Sequence, residues 1–222
     1  MRQIVVLGLA LVLLGCGKKE PLHKGKPASY WREALNGQDP KERREAIVAM
    51  GGLKVKETIP ELIAFLKDQD IEIRSHAAQA FWSMGDADCK EAVPALILLL
   101  QDKDTGVRLN AVGALGQIAS EPGKTIPALK DALSDSDQSV RAEAATGLGY
   151  FKSEATTVVP LLTDALRDRA GNVRVATAYA LCEIGPAASS AVPALKEAFK
   201  EKNSDLKVAI DCALKAIEGK QK

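Results

Sequence analysis

Residues that could do catalytic chemistry are few in this sequence and are not grouped. Its two histidines are His23 and His76, and neither belongs to a recurring His-Glu pair. The sequence contains no G-x-S-x-G, no phosphate-binding P-loop, no G-x-G-x-x-G fingerprint and no C-x-x-C. Aspartate and glutamate pairs are numerous, but they recur at a regular interval, which favours structural roles over acid–base catalysis. We therefore predict a protein that is not an enzyme and has no metal or cofactor.

One cysteine has a sequence context that indicates chemistry. Met1–Gln3 is a short basic start, an apolar run extends over Ile4–Leu14, and the run ends at Cys16. At about 1.5 Å per residue, a helix of this length cannot cross a hydrocarbon core of roughly 30 Å. No small-x-small pattern marks an ordinary cleavage site, and the abrupt change to Gly17–Glu20 argues against a buried helix.

Leu13-Leu14-Gly15-Cys16 resembles the lipobox of bacterial lipoproteins, although Leu14 stands where Ala or Ser is usual. The resemblance implies that residues 1–15 are a signal peptide and that Cys16 carries a diacylglycerol on its sulfur. It also implies a cell-envelope protein, anchored in a membrane and facing the periplasm or the cell surface. Residues 16–28 would then be the acylated N-terminus and a flexible tether, because they are polar and contain two prolines.

After the tether the sequence repeats itself. Prolines recur at intervals of 33 or 34 residues, and a basic residue follows each of them after fourteen positions. The prolines are Pro60, Pro94, Pro127, Pro160 and Pro193, and the basic residues are Arg74, Arg108, Arg141, Arg174 and Lys207. One earlier unit has the same spacing from Ser29 to Arg43. The sequence therefore predicts six consecutive structural units.

Each unit has the pattern of two helices. The proline suits the first turn of a helix, and apolar residues follow it after two, five and six positions, which makes one apolar stripe. An acidic residue eight positions after the proline, often with another two positions further, is typical of a turn followed by an N-cap. After the basic residue, small side chains at plus three and plus six predict a second helix that packs closely against its neighbours.

The unit from Pro94 to Ile118 reads P-A-L-x-x-L-L-x-D-x-D-x-x-V-R-x-x-A-x-x-A-L-G-x-I, which resembles a short bacterial HEAT repeat of the phycobilin-lyase type. The resemblance covers residues 29–218 and implies an all-α solenoid of six helical hairpins, so that residues 29–222 form one HEAT-repeat domain. It also implies an Asp–Arg ladder between units, from which Ala170 departs. Tyr30 and Trp31 would seal the first unit, because the ends of such a stack need caps.

The remaining cysteines are predicted to be unpaired. Cys182 is at plus eight of its second helix, and Cys212 is at plus five of the next. For parallel helices roughly 8–10 Å apart, this offset separates the two Cα atoms by more than about 7 Å, too far for an unstrained disulfide. Cys89 lies in a predicted loop and would be an exposed thiol.

The resemblance also implies which surface binds a partner, since plus one, five, eight and nine of the second helices line the concave side of HEAT solenoids. These positions hold Gln79, Trp82, Gln117, Tyr150 and Tyr179, among Gly113, Gly116 and Gly149. Exposed Trp and Tyr are enriched at binding hot spots, and the glycines would leave room for a partner. Trp82 has two open interpretations, exposure to a partner or packing over the neighbouring unit, whereas exposure is favoured for Tyr179.

Together these features predict a membrane-anchored scaffold or adaptor that binds a protein partner through its concave face. The alternative is a phycobilin-lyase-like protein that handles a chromophore. The export signal argues against this alternative, because such chemistry is intracellular. Nucleic-acid binding is disfavoured, since the net charge is +1 and the second helices carry no basic stripe.

Overall fold

The computed structural model describes residues 20–219, in which helices follow one another as six pairs. We call each pair a unit. The first helices of the units are α1 (Ala28–Leu35), α3 (Ile59–Phe65), α5 (Val93–Leu99), α7 (Pro122–Ala132), α9 (Ala155–Ala165) and α11 (Val192–Ala198). The second helices are α2 (Pro40–Gly52), α4 (Ile71–Met84), α6 (Thr105–Ile118), α8 (Gln138–Gly149), α10 (Gly171–Ile184) and α12 (Ser204–Glu218). The predicted all-α solenoid of six hairpins is confirmed.

The second helices begin where the acidic positions predict. The side chains of Asp70, Asp104 and Asp137 accept hydrogen bonds from backbone N–H groups in the first turns of α4, α6 and α8. Such caps satisfy N–H groups that have no partner inside the helix. The first helices differ more from expectation. Pro127 and Pro160 lie inside α7 and α9, rather than in their first turns, because the residues before them continue the helix.

The two sets of helices form two layers. Consecutive second helices pack directly against one another along the whole stack, whereas consecutive first helices make far fewer contacts. A curved stack brings its elements closest together on the inner side, so the second helices form the inner layer. Small residues permit this close approach: a β-carbon added at Gly149 would lie 2.9 Å from the Cα atom of Ala180 in the next unit.

The predicted tether is partly structured. Strands β1 (Leu22–His23) and β2 (Lys26–Pro27) form a short antiparallel hairpin immediately before α1. The hairpin is held by Trp31, whose indole Nε1 donates a hydrogen bond to the His23 carbonyl oxygen at 3.1 Å. Trp31 is buried, so it seals the first unit as predicted. Residues 22–27 of the predicted tether therefore form a short hairpin that packs against Trp31, while most residues of 20–28 remain exposed.

An Arg–Asp ladder joins the middle units. Arg141 donates two hydrogen bonds to the Asp168 carboxylate, at 2.8 and 3.0 Å, and a third to the carbonyl oxygen of Asp135 in its own unit. The pairs Arg108–Asp135 and Arg74–Asp102 repeat this geometry one and two units earlier. Each arginine thus fixes the turn of its own unit to the turn of the next.

The junction between the last two units is built differently. Ala170 cannot cap α10 with its side chain, and Glu201 replaces the ladder aspartate. Arg174 reaches Glu201 through Nη2 alone, at 2.8 Å. Its Nε is buried without an acceptor among the described residues. The ladder arginine therefore makes fewer hydrogen bonds across this junction than across the middle junctions.

A disulfide joins Cys182 in α10 to Cys212 in α12 across this same junction, so the prediction that both are unpaired is wrong. Their Cα atoms are 5.8 Å apart. Helices with bulky side chains between them would hold these atoms farther apart, but the alanines and glycines of the inner layer bring neighbouring helices closer. The stagger of the stack also sets position plus eight of one unit against plus five or six of the next, as Gly149 and Ala180 show.

The prediction of an exposed thiol at Cys89 is also wrong. Cys89 lies in a short 3-10 segment, Ala87–Ala92, and is fully buried in the core. Its sulfur is 3.7 Å from the Met84 sulfur, and burial raises the pKa of the thiol. Cys89 is therefore a packed core side chain that is kept in its thiol form.

Candidate functional site on the inner face

The inner face is the surface of the second helices that points away from the first helices. Three of the five predicted binding residues are exposed on it: Gln79 on α4, Tyr150 at the end of α8 and Tyr179 on α10. Tyr150 is 38% exposed and Tyr179 45% exposed, which is high for aromatic side chains of a helical layer. The stack thus presents two tyrosines from adjacent units on one side.

Trp82 has a different role. Its indole lies over Gly113 of the next unit, where an added β-carbon would be 2.5 Å from the ring. The side chain is half-buried and packs against the hydrophobic core. Of the two interpretations left open by the sequence, packing over the neighbouring unit describes its position. Only the remaining exposed part of the ring is available to a partner.

The inner-layer glycines do not leave room for a partner, contrary to the prediction. Gly113 is covered by Trp82, and a β-carbon at Gly116 would be 2.7 Å from the Cα atom of Gly147. Gly149 packs in the same way on the next helix. These glycines are buried because they are contact points between second helices, and their lack of a side chain sets the helix spacing.

Gln117 connects two of the predicted residues. Its Nε2 donates a hydrogen bond of 3.0 Å to the Tyr150 hydroxyl oxygen across the junction between α6 and α8. The bond fixes the direction of the phenol ring, while the ring itself remains exposed. A partner would therefore meet an aromatic side chain that is already oriented, which lowers the entropic cost of binding.

A groove of about 600 Å³ lies beside Tyr179, where α8, α10 and the start of α12 meet. Its lining residues are Thr146, Gly171, Asn172, Val175, Ala176, Tyr179, Asn203 and Asp205. The lining combines an aromatic ring and small apolar side chains with amide and carboxylate groups. Asp205 is the one charged residue among those that line it. We call it the Tyr179 groove, and its volume is in the range that accommodates side chains of another molecule.

Glu143 on α8 is a further residue beside these positions, and the sequence reasoning did not select it. Glu143 is half-buried, and burial raises the pKa of its carboxyl. It lies one turn before Thr146 on α8, on the same side of the helix. Its position in the repeat could have identified it. The residue two positions after the ladder arginine is Asn110 in the preceding unit and the charged Glu143 in this one.

Across residues 20–219, no three His, Cys, Asp or Glu side chains are grouped so that they could hold a metal ion. Within the same residues, no helix has the length and apolar content needed to cross a bilayer. What the inner face offers is exposed aromatic area, a groove and a carboxylate, and these are features suited to binding.

Comparison with known protein families agrees with the repeat geometry. A model of HEAT repeats matches residues 28–88, 78–135 and 126–212, and so nearly the whole described stack. The chain belongs to the HEAT-repeat family. No match is found among curated proteins. The family assignment therefore rests on the repeats themselves, which in such proteins build an extended surface.

Solved structures similar to this HEAT-repeat protein include engineered proteins. An engineered protein solved by the Northeast Structural Genomics Consortium has a TM-score of 0.66 and 21% identity, with 88% of this chain and 100% of that chain covered. A designed armadillo repeat protein in complex with the peptide (KR)4 has a TM-score of 0.65 and 21% identity, with 86% and 100% covered. At these identities the likeness shows the fold alone.

Proposed function

We propose that this HEAT-repeat protein is a scaffold or adaptor that binds a partner protein through its inner face. The observation that carries the proposal is the exposure of Tyr150 and Tyr179 on adjacent second helices, beside the Tyr179 groove. Tyrosine is enriched at interface hot spots, because it offers a large contact area and a hydroxyl group while ordering only a few rotatable bonds. The peptide bound by the designed armadillo neighbour supports a binding role for a stack of this kind.

The test is a crosslinked affinity purification from intact cells, comparing the wild-type chain with the Tyr150→Ala, Tyr179→Ala double variant. Leu98 and Phe199 are 69% and 41% exposed on the outer, first-helix side, so Leu98→Ala, Phe199→Ala is the matched control. We expect a stoichiometric partner that is retained by the wild type and the control and is lost from the tyrosine variant. Equal retention by all three proteins would place the partner elsewhere.

We also propose that the protein is held in the cell envelope by a lipid on Cys16, a residue that lies outside the described part of the chain. The Cys182–Cys212 disulfide supports this location, because disulfides persist in exported proteins and are rare in the reducing cytosol. Two or three acyl chains are sufficient for stable anchoring, since each buried CH₂ contributes about 0.8 kcal/mol. The inner face would then be presented to partners at the membrane surface.

Metabolic labelling with an alkyne fatty acid tests the anchor. The wild-type chain is expected to incorporate the label and to sediment with membranes, whereas the Cys16→Ser variant should do neither. Cys89→Ser is the control, because its thiol is buried and should not be acylated. Unlabelled wild-type protein in the soluble fraction would refute the anchoring proposal and leave the binding proposal standing.

A further inference from the structure

We infer that the Tyr179 groove and the adjacent Glu143 receive a partner segment that presents a lysine or arginine side chain between apolar residues. This inference rests on the proposed function, because it names the chemistry of the partner at the same face. Three observations support it. Glu143 has no hydrogen-bond or ion-pair partner among residues 20–219, the lining of the groove contains no Lys, Arg or His, and the groove combines an exposed aromatic ring with small apolar side chains.

Glu143 has no partner. No side chain or backbone group of residues 20–219 donates a hydrogen bond to its carboxylate, and no Lys, Arg or His of that range forms an ion pair with it, so that solvent is its only contact for hydrogen bonding. In the preceding unit, the side chain at the same position of the repeat has hydrogen-bond partners. Asn110, at the same register, donates hydrogen bonds to Ser75 Oγ at 3.0 Å and to the Ser75 carbonyl oxygen at 3.2 Å.

The repeat explains why Glu143 is left alone. In the next pair of units, the positions of Asn110 and Ser75 are occupied by Glu143 and Leu109. Leu109 has no polar side-chain atom and cannot form a hydrogen bond with the carboxylate. Leu109 is partly buried against the core and removes water from that side of the carboxylate. A half-buried carboxylate without a donor is costly to keep charged, and a cation from another chain would lower that cost.

The groove is complementary to a cationic side chain. None of its eight lining residues is Lys, Arg or His, and Asp205 contributes a carboxylate at its α12 end. The exposed ring of Tyr179 offers a face on which a guanidinium or ammonium group can stack. Val175 and Ala176 can contact the aliphatic stem of such a side chain.

Neighbouring apolar residues on the partner also have a place. Val208, on the same side of α12, is 62% exposed, and Tyr150 is 38% exposed at the end of α8. An extended segment with alternating apolar and basic residues would contact these side chains and place its charge between them. An acidic segment would instead set its carboxylates against Glu143 and Asp205, which is unfavourable.

The test uses two fluorescein-labelled ten-residue peptides, one alternating Val and Lys and one alternating Val and Glu. Fluorescence anisotropy with the full-length protein in detergent at physiological salt measures their affinities. We expect the lysine peptide to bind at least about tenfold more tightly, and Glu143→Gln to weaken it by about tenfold. Asp164→Asn is the control, because Asp164 is an exposed carboxylate on the outer helix α9 and should leave the affinity unchanged.

Thermal unfolding of the same variants separates binding from folding. Removal of an unpaired half-buried charge should leave the Tm of Glu143→Gln equal to or above that of the wild type, so weaker binding cannot come from a damaged fold. Equal affinities for the two peptides, or no effect of Glu143→Gln, would overturn the inference. If the tyrosine variant still loses its cellular partner in that case, the proposed function stands. If the tyrosines also have no effect, the proposed function fails as well.

Discussion

The middle junctions of the stack and its last junction are held together by different chemistry, although the same repeat builds both. In three successive units, the ladder arginine binds both carboxylate oxygens of an aspartate in the next unit; these arginines are Arg74, Arg108 and Arg141. At the last junction Arg174 makes one contact with a glutamate, and a disulfide crosses between α10 and α12. A repeat protein can therefore keep its geometry while it changes the bond that secures a unit.

The difference also has consequences for the candidate site. The Tyr179 groove takes its lining from α8, α10 and the loop and first turn of α12, so it exists only while the last unit is docked. The disulfide holds that unit at a junction where the ladder contributes one side-chain contact, Arg174–Glu201. Terminal units of solenoids contact one neighbour instead of two and are the first to open. A covalent bond there keeps the groove formed without a partner.

The largest effect is expected from breaking the disulfide. The Cys182→Ser, Cys212→Ser variant should lose about 3–4 kcal/mol of stability, the value for a closed loop of this length, since the cysteines are 30 residues apart. Hydrogen exchange should show α12 opening first. Urea unfolding with and without reductant provides the check, because reductant should destabilise the wild type and leave the serine variant unchanged. A reductant-insensitive wild type would contradict this account of the junction.

The second prediction compares two arginines. Arg141→Ala should cost about 3 kcal/mol, because it leaves the Asp168 side chain, 14% exposed, without its partner. Arg174→Ala should cost about 1 kcal/mol, since the Glu201 side chain is 42% exposed and can turn to water. Chemical denaturation of both variants measures the difference. Equal costs would show that the two junctions are not distinct.

The ladder should also make the protein sensitive to acid. Hydrogen bonds from Arg141 hold the pKa of the Asp168 carboxyl below its usual value. A lowered folded-state pKa adds stability above the ordinary value of about 3.9, and this stability is lost as the pH falls through that value towards the lowered one. Urea unfolding from pH 7 down to pH 3 should therefore show a steeper loss for the wild type than for Asp168→Asn. Parallel curves would refute the assignment.

The smallest effect is expected from restoring the missing cap. Ala170 has φ −90° and ψ 128°, close to the φ −86° and ψ 130° of the capping Asp137. Ala170→Asp should therefore add about 1 kcal/mol, and Asp137→Ala should remove about as much. Thermal unfolding of both variants provides the measurement. A loss of stability in Ala170→Asp would mean that the fifth turn cannot accommodate a cap.

Much of the fold was predictable, because the repeat carries the information many times over. The period, the paired helices, the capping aspartates and the buried Trp31 follow from residue types at fixed spacings. A residue type that recurs at the same position in five units predicts the local structure more reliably than a single occurrence does. Glu201, which stands where the other units have Asp, marks the junction that is built differently. Ala170 removes a cap but leaves the ladder intact, because Asp168 still binds Arg141.

The errors arose where the distance between two helices decided the outcome. The Cys182–Cys212 pair was rejected because a typical helix spacing separates the two Cα atoms by more than about 7 Å, but the actual distance is 5.8 Å. Gly113 was interpreted as open space, although the Trp82 ring occupies it. Periodicity identifies the face of a helix on which a residue lies. It does not give the stagger between helices, which sets cross-unit contacts.

Site-directed photocrosslinking is a direct test of whether the inner face binds a partner. A photoreactive phenylalanine analogue is placed at Tyr179 on the inner face or at Leu98 on the outer face, both exposed, and intact cells are irradiated. We expect a discrete crosslinked species of constant mass from position 179 and no crosslinked species from position 98. Crosslinks from position 98 alone, or the same species from both positions, would contradict it.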